Sequence, residues 1–247
     1  MKVIYEPKGK AGEYGELAVN LYNGCGHGCV YCYAPSVVHK SREEFFGNPQ
    51  PRRDIIAKLE DDVREMVRNG DRREVFLCFT CDPFQPLEQF EAATHNAILL
   101  FEKKHIRYRI LTKTGYFALD TLRHVSTPEL CTFGTTLVFH SDIDAGRYEP
   151  NAGTTSERIH CLIDMKNRGF KTWVSLEPVW TPEDAFELIN RTYTFVDEYK
   201  IGKLNYHPQS KNVNWVKFAK DVSELCKSLG CKYILKDDLA KLLEGRA

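Results

Sequence analysis

The hydrophobic pattern of this chain alternates between two periods. Short apolar runs rich in β-branched and aromatic residues are followed by longer segments in which apolar positions recur every three or four residues. The first pattern is typical of buried strands and the second of amphipathic helices, so their alternation predicts repeated βα units and a mainly parallel sheet. The predicted strands are residues 17–22, 74–79, 108–111, 132–139, 171–176 and 195–201.

The predicted helices lie between and after these strands. They cover residues 54–67, 89–103, 117–124, 182–190 and 215–229, with one more around Ile159, Leu162, Ile163 and Lys166. A long polar loop, HSDIDAGRYEPNAGTT, separates that helix from the strand before it, and a short strand at 233–235 and a final helix close the chain. Six recurring βα units favour a barrel or partial barrel over a flat sheet. We therefore expect an α/β fold in one domain of residues 1–247, with a core of about 15–205 and a helix–strand–helix of about 206–247.

The loops that follow the strands gather the polar and unusual residues. In parallel α/β folds these loops meet at the carboxyl ends of the strands, where ligand sites lie. The segments in this position are NGCGHGCVYCYAP, CDPFQP, TKTG, HSDIDAGRYEP, LEPVW and KLNYHP. We expect them to form one site on one face of the fold.

Three cysteines in the first of these loops indicate a metal site. Cys25, Cys29 and Cys32 have the spacing C-x3-C-x2-C among glycines, which permit tight turns and let backbone N–H groups approach inorganic sulfide. An iron–sulfur cubane normally has one thiolate on each iron, so three thiolates leave one iron open for another ligand. His27, between the cysteines, is then expected to be a loop residue rather than a ligand.

A structural zinc site is the competing interpretation. Cys29 and Cys32 form one C-x2-C pair, and Cys78 and Cys81 form another, which is formally enough for four-cysteine coordination. It leaves Cys25 without a role, and residues three apart at the end of a strand point to opposite faces unless the chain turns sharply. Without a metal, three exposed thiols in a glycine-rich loop are an oxidation liability.

Composition narrows the choice of partners and compartment. Basic and acidic residues number 34 each, so the chain lacks the overall basic charge of a protein that follows nucleic-acid phosphates over a broad face. The N-terminal segment has no apolar run of the signal-peptide kind, and no stretch approaches the roughly 18 apolar residues that a membrane span needs. The nine cysteines are clustered and odd in number, unlike a disulfide framework. We expect a cytoplasmic protein without membrane contact, and the oligomeric state is left open.

The cysteine loop resembles that of the radical S-adenosylmethionine (radical SAM) superfamily. Within it the chain looks most similar to the spore photoproduct lyase-like group, also called DNA repair photolyases. The segments that carry the likeness are YEPKGKAGEYGELAVNLYNGCGHGCVYCYAP, FTCDPFQPLE, LTKTG, YEP…ERI…G, LEPV, KLNYHP and YILKDDL. The resemblance implies a partial (β/α)6 barrel of the radical SAM type and a 4Fe-4S cluster whose open iron is chelated by S-adenosylmethionine. It also implies reductive cleavage of that cofactor to a 5′-deoxyadenosyl radical, with an electron from a partner such as flavodoxin or ferredoxin.

The resemblance further implies which residues contact the amino-acid part of the cofactor. Thr80 and Asp82 match the position that binds its ammonium, and Lys113 matches the lysine that meets its carboxylate. Thr135, or its neighbour Thr136, is the candidate hydroxyl on the fourth strand. The structural alternatives are a turn-forming Asp82, a solvated strand-end lysine and a β-branched strand residue.

Other matched positions concern the adenine and the long polar loop. Tyr31 matches the aromatic residue that lies along the adenine, and the segment 176–179, which contains Glu177, is expected on its other side. Arg158 matches the arginine of the group's ER motif and is expected either at the cofactor or paired with Glu149.

The chain departs from the spore lyase at the hydrogen-donating cysteine. When the two are aligned on Asp82, Phe79 occupies the position of that cysteine, and Cys78 and Cys81 lie on either side. Cys81 is the candidate donor of a hydrogen atom, with a small buried thiol as the alternative for both cysteines.

Three functions remain open at this point. The first is a radical SAM enzyme acting on a nucleic-acid lesion or modified base, by resemblance. The second is a radical SAM enzyme acting on a small molecule or peptide, which suits the zero net charge. The third is a non-catalytic zinc-binding module.

Overall fold

A computed structural model of the protein describes residues 2–205 and 207–244. Tyr206 of the KLNYHP segment lies outside these residues. The strands in the described ranges are β1 (Leu17–Val19), β2 (Tyr22–Asn23), β3 (Gln50–Pro51), β4 (Val75–Leu77), β5 (Tyr108–Thr112), β6 (Cys131–Thr136), β7 (Lys171–Val179), β8 (Glu198–Lys203) and β9 (Tyr233–Leu235).

Helices follow most strands. The α-helices are α1 (Ala34–Val37), α2 (Arg42–Gly47), α3 (Ile55–Asn69), α4 (Glu88–Glu91), α5 (Ala93–Lys104), α6 (Tyr116–Leu122), α7 (Asp142–Tyr148), α8 (Thr155–Asn167), α9 (Pro182–Thr192), α10 (Trp215–Ser228) and α11 (Asp237–Leu243). Short 3₁₀ helices cover Gly9–Ala11, Pro128–Leu130 and Pro208–Asn212. Throughout the described chain, no helix is long and apolar enough to cross a membrane.

The main sheet has seven parallel strands in the described ranges. Their order, β1-β4-β5-β6-β7-β8-β9, follows the order of the chain. A sheet in which each strand pairs with the preceding one curves in one direction, as in a partial barrel. The predicted α/β class and partial barrel are confirmed, and β9 extends the six predicted units by a seventh parallel strand.

Several segments differ from the predicted pattern; the helix predicted at 89–103, for example, is divided into α4 and α5 at Ala92, whose φ is 53°. The predicted strand at 17–22 stops at Val19, because Tyr22 and Asn23 turn away to pair antiparallel with β3. The segment predicted as one long polar loop contains α7, since the Ser141 hydroxyl accepts a hydrogen bond from the backbone N–H of Asp144 and caps a helix.

Aromatic side chains fill the barrel interior below the strand ends. Alternate residues of each strand face the helices and join the main core, whereas Ala18, Phe76 and Trp173 form a separate cluster on the other side of the sheet. The Trp173 indole crosses β6 and donates a hydrogen bond to the Ile110 carbonyl at 2.9 Å. β6 has Gly134 at the crossing, where a Cβ would overlap the indole. These side chains therefore fill the bottom of the barrel interior, called the barrel floor below.

Candidate active site

The cysteine loop is a tight turn at the carboxyl end of β1. Cys25 and Cys29 are buried, and Cys32 is partly exposed. Gly24 has φ of 84°, and a Cβ there would lie 2.5 Å from the Phe45 carbonyl oxygen, so this position requires glycine.

Backbone N–H groups act on two of the three sulfurs. Burial raises the pKa of the Cys25 and Cys32 thiols, and backbone N–H groups oppose the rise, those of His27 and Asp82 at Cys25 and that of Ala34 at Cys32. Such hydrogen bonds stabilise thiolate ligands and tune iron–sulfur clusters. The donor set of three thiols with N–H support therefore fits the group that the spacing predicts.

Lys113 supplies positive charge beside these thiols. Burial raises the pKa of the Cys29 thiol to about 12, and the Lys113 ammonium opposes the rise. The ammonium lies 5.7 Å from the centroid of the Tyr31 ring. Among the described residues, no carboxylate lies within 4.0 Å of it. Lys113, which follows β5, is thus a cation without a counterion in the described ranges of the chain.

The zinc alternative requires four sulfurs around one ion. In a tetrahedral site with Zn–S bonds of about 2.3 Å, the sulfurs lie roughly 3.8 Å from one another, whereas the thiolates of a cubane bind separate irons. In residues 2–205 and 207–244, no group of three or more His, Cys, Asp or Glu side chains is placed to hold a single metal ion. The two C-x2-C pairs therefore do not converge on one position.

Asp82 connects the loop after β4 with the end of β5. Its carboxylate accepts from the Thr112 hydroxyl at 2.7 Å and from the backbone N–H groups of Lys113 at 2.7 Å and Phe84 at 2.9 Å. His27 Nδ1 lies 3.5 Å from the same carboxylate. Burial lowers the pKa of His27 to about 4, so the ring is neutral. Asp82 thus fixes the position of Lys113, and its predicted contact with the cofactor ammonium stays a prediction.

Arg158 belongs to a buried network that holds Tyr31. Its guanidinium donates to Glu149 at 2.6 Å and to the carbonyls of Thr136 at 3.0 Å and Gly153 at 2.9 Å. The other oxygen of Glu149 accepts from the Tyr31 hydroxyl. Both charged side chains are at most 1% exposed. Arg158 is therefore paired with Glu149, and its predicted contact with the cofactor stays a prediction.

Thr135 and Thr80 are the two threonines predicted to contact the cofactor, and the structure places them in different surroundings. The Thr135 hydroxyl is fully buried and donates to the Thr112 carbonyl at 2.7 Å. Thr80 lines a small cavity of about 40 Å³ behind the cysteine loop, with Asn23 and Gly24. Their contacts with a cofactor remain predictions.

Cys81 lies behind the cysteine loop. Its thiol hydrogen-bonds with that of Cys78, and its side chain packs against the apolar cluster of Cys25, Ala34 and Phe45. Cys78 has φ of 67°, and this left-handed turn brings two thiols three residues apart to the same side. The role of Cys81 as a hydrogen-atom donor also stays a prediction.

Glu177 has partners that the sequence did not indicate. Its carboxylate accepts from the Tyr14 hydroxyl and from the Lys236 ammonium at 3.0 and 2.8 Å. Tyr14 and Lys236 belong to the segments KGKAGEYGE and YILKDDL, which were part of the family likeness but had no assigned role.

In sequence, the chain has a distant relative. No protein-family model matches the chain. An uncharacterized protein of Methanocaldococcus jannaschii is 22% identical over 195 residues, which are 77% of this chain and 71% of that one.

Two kinds of solved structure are similar to it. SuiB of Streptococcus suis bound to S-adenosylmethionine matches 92% of this chain with a TM-score of 0.66 and 12% identity. This chain spans 52% of SuiB, about half of its length. A cysteine-to-alanine mutant of spore photoproduct lyase with dinucleoside spore photoproduct matches 90% of this chain, with a TM-score of 0.67 and 14% identity, over 77% of its own length. This chain therefore has the radical SAM fold, in a form similar to both SuiB and spore photoproduct lyase.

Proposed function

We propose that this protein is a radical SAM enzyme that holds a 4Fe-4S cluster on Cys25, Cys29 and Cys32. The observation that carries the proposal is the cysteine loop itself, with N–H donors at the sulfurs of Cys25 and Cys32, in a chain with the radical SAM fold. When bound, the cluster and S-adenosylmethionine supply one-electron cleavage of the cofactor and a radical that abstracts hydrogen.

The chain's own residues bind and orient the cofactor. Lys113, which lacks a carboxylate partner in the described part of the chain, is suited to a ligand carboxylate. The Tyr31 hydroxyl donates a hydrogen bond to Glu149, and the Lys113 ammonium lies over the Tyr31 ring. The ring therefore offers a flat surface for the adenine. Asp82 and His27 form the buried network that keeps Lys113 next to the cysteine loop.

Metal analysis tests the cluster. Anaerobically reconstituted protein should contain about four iron and four sulfide per chain and show broad visible absorbance. Cys29→Ala should lose most of the iron, whereas Cys231→Ala, a change at a thiol beyond the end of α10, should keep it. One zinc per chain and no iron would instead support the zinc module.

For the substrate we propose a nucleic-acid lesion or modified base. The support is the likeness to spore photoproduct lyase with its dinucleoside photoproduct. A peptide is the second candidate, because SuiB bound to its precursor peptide SuiA matches this chain with a TM-score of 0.67. The proposed electron donor is a flavodoxin or ferredoxin of the cytoplasm.

Salt dependence distinguishes these substrates. Binding to a single-stranded oligonucleotide should weaken as salt is raised, since phosphate contacts release counterions. Absent binding, or binding that salt leaves unchanged, would exclude the nucleic-acid substrate.

A further inference from the structure

A polar cluster lies on the wall of the barrel interior, formed by Tyr14, Ser175, Glu177 and Lys236. Ser175 and Glu177 are two residues apart on β7 and so face the same side of the sheet. The Tyr14 hydroxyl donates to Glu177 and lies 3.1 Å from the Ser175 hydroxyl. Lys236 follows β9 and donates to both oxygens of Glu177. Three distant parts of the chain thus hold one carboxylate.

The neighbouring strand leaves room for this carboxylate. Gly202 lies on β8 between Glu177 and Lys236, and a Cβ there would be 2.7 Å from the carboxyl carbon of Glu177. The N-terminal segment that carries Tyr14 is fixed by Lys200, whose ammonium donates to the carbonyls of Glu13 at 2.8 Å and Tyr14 at 3.3 Å. The position of Glu177 is therefore fixed by several independent contacts.

In the ion pair, the acceptor Glu177 is partly exposed and the donor Lys236 is buried. The Glu177 side chain is 23% exposed and that of Lys236 only 6%. A carboxylate has about four acceptor positions, and three are taken here. Since Lys236 neutralises the charge of Glu177, the pair favours a neutral N–H donor over a cation.

The aromatic side chains of Phe79 and Tyr33 lie near Tyr14, which donates to this acceptor. Phe79 is partly exposed, lies 6.0 Å from the Tyr14 ring and stacks on Phe76 at 4.2 Å. Tyr33 is 57% exposed, and its hydroxyl donates to the Phe79 carbonyl at 3.4 Å. Exposed aromatic rings are platforms on which nucleobases stack.

We propose that Glu177 is the acceptor that recognises the imide N–H of a uracil- or thymine-type base, and that Tyr14 and Lys236 position its carboxylate. This inference rests on the proposed nucleic-acid function. Within that function, Glu177 is the residue that determines specificity for the base. The imide N–H is a neutral, planar donor, and the base offers a ring that stacks on Phe79 or Tyr33.

A pair of ligands tests the inference in the native holoenzyme. Reconstituted protein with S-adenosylmethionine is titrated anaerobically with fluorescent oligothymidylate and with the same oligonucleotide methylated at N3 of every thymine. Methylation removes the donor, so we expect at least about tenfold weaker binding, as for loss of a hydrogen bond to a charged group. Glu177→Leu, which removes both acceptor oxygens, should reduce this discrimination to less than about threefold, whereas Glu183→Leu, the same change at an exposed glutamate of α9, should retain it.

The outcomes separate this inference from the function on which it rests. Equal binding of the two oligonucleotides by the native protein overturns the role of Glu177 and leaves a nucleic-acid substrate standing. Discrimination that survives in Glu177→Leu also overturns it, because another residue must then accept the hydrogen bond of the imide. Binding of neither oligonucleotide overturns both proposals.

Discussion

Replacement of Arg158 by methionine should destabilise the protein strongly. The substitution keeps much of the side-chain volume but removes the bonds to Glu149, Thr136 and Gly153. Arg158 and Glu149 are almost completely buried, so the variant leaves a carboxylate without its counterion in the interior. Breaking such a pair costs about 3–5 kcal/mol, which is a large part of the roughly 5–15 kcal/mol that stabilises a typical domain.

The partner substitution distinguishes a lost ion pair from lost packing. Glu149→Gln in the Arg158→Met background removes the unpaired charge, so the double variant should recover about 2 kcal/mol relative to the sum of the single variants. The measurement is urea unfolding followed by circular dichroism, without metal. Arg53→Met is the matched control, since Arg53 is 93% exposed and its loss should cost less than about 0.5 kcal/mol. A cost below 1 kcal/mol for Arg158→Met would refute the reasoning.

Three further substitutions test other parts of the structure. Gly134→Ala should destabilise the protein by at least about 2 kcal/mol in urea unfolding, because the added Cβ overlaps the Trp173 indole; an unchanged midpoint would contradict the packing of the barrel floor. Burial lowers the pKa of Lys200 from 10.5 to about 8, so its protonated form is disfavoured in the folded state. Below pH 8 that penalty is fully present, and it disappears as the pH rises towards 10.5. The free energy of unfolding of the native protein, relative to that of Lys200→Met, should therefore increase by roughly 3 kcal/mol across this window. A difference between the two proteins that does not change with pH would contradict the shift in the pKa of Lys200. Tyr31→Phe keeps the ring but loses the bond to Glu149, and should raise the Kd for S-adenosylmethionine several-fold in equilibrium dialysis; an unchanged Kd would remove Tyr31 from the cofactor site.

The sequence predicted the elements whose local patterns were strong. The run at 108–111 became β5 and the periodic segment at 215–229 became α10, with bounds that differ by one residue. Both are set by local hydrophobic periodicity, which a single sequence contains. The segment at 17–22 was predicted as one strand because Tyr22 continues the apolar pattern, although its pairing with β3 depends on residues about 30 positions away.

The site was predictable to the extent that its chemistry is local. Three cysteines within eight residues indicate a cluster without knowledge of the fold. The partners of Glu177 were not predictable in this way, since Tyr14 lies 163 residues before it and Lys236 lies 59 after it. Only the folded barrel brings an N-terminal tyrosine and a C-terminal lysine to the same carboxylate.

Asp82 illustrates the same limit within one motif. Its position before Pro83 indicated either a turn or a cofactor contact. The structure shows that its carboxylate receives hydrogen bonds from the end of β5, about 30 residues later. Sequence spacing locates a carboxylate on a loop, but the donors that occupy it depend on the neighbouring strand.

Formation of 5′-deoxyadenosine tests the central claim most directly. Reconstituted protein is mixed anaerobically with S-adenosylmethionine and dithionite, and the nucleoside is measured by chromatography. The account predicts 5′-deoxyadenosine that depends on the reductant, disappears in Cys29→Ala and persists in Cys231→Ala. The account is contradicted if protein with its full complement of iron and sulfide forms no more 5′-deoxyadenosine than the Cys29→Ala variant does.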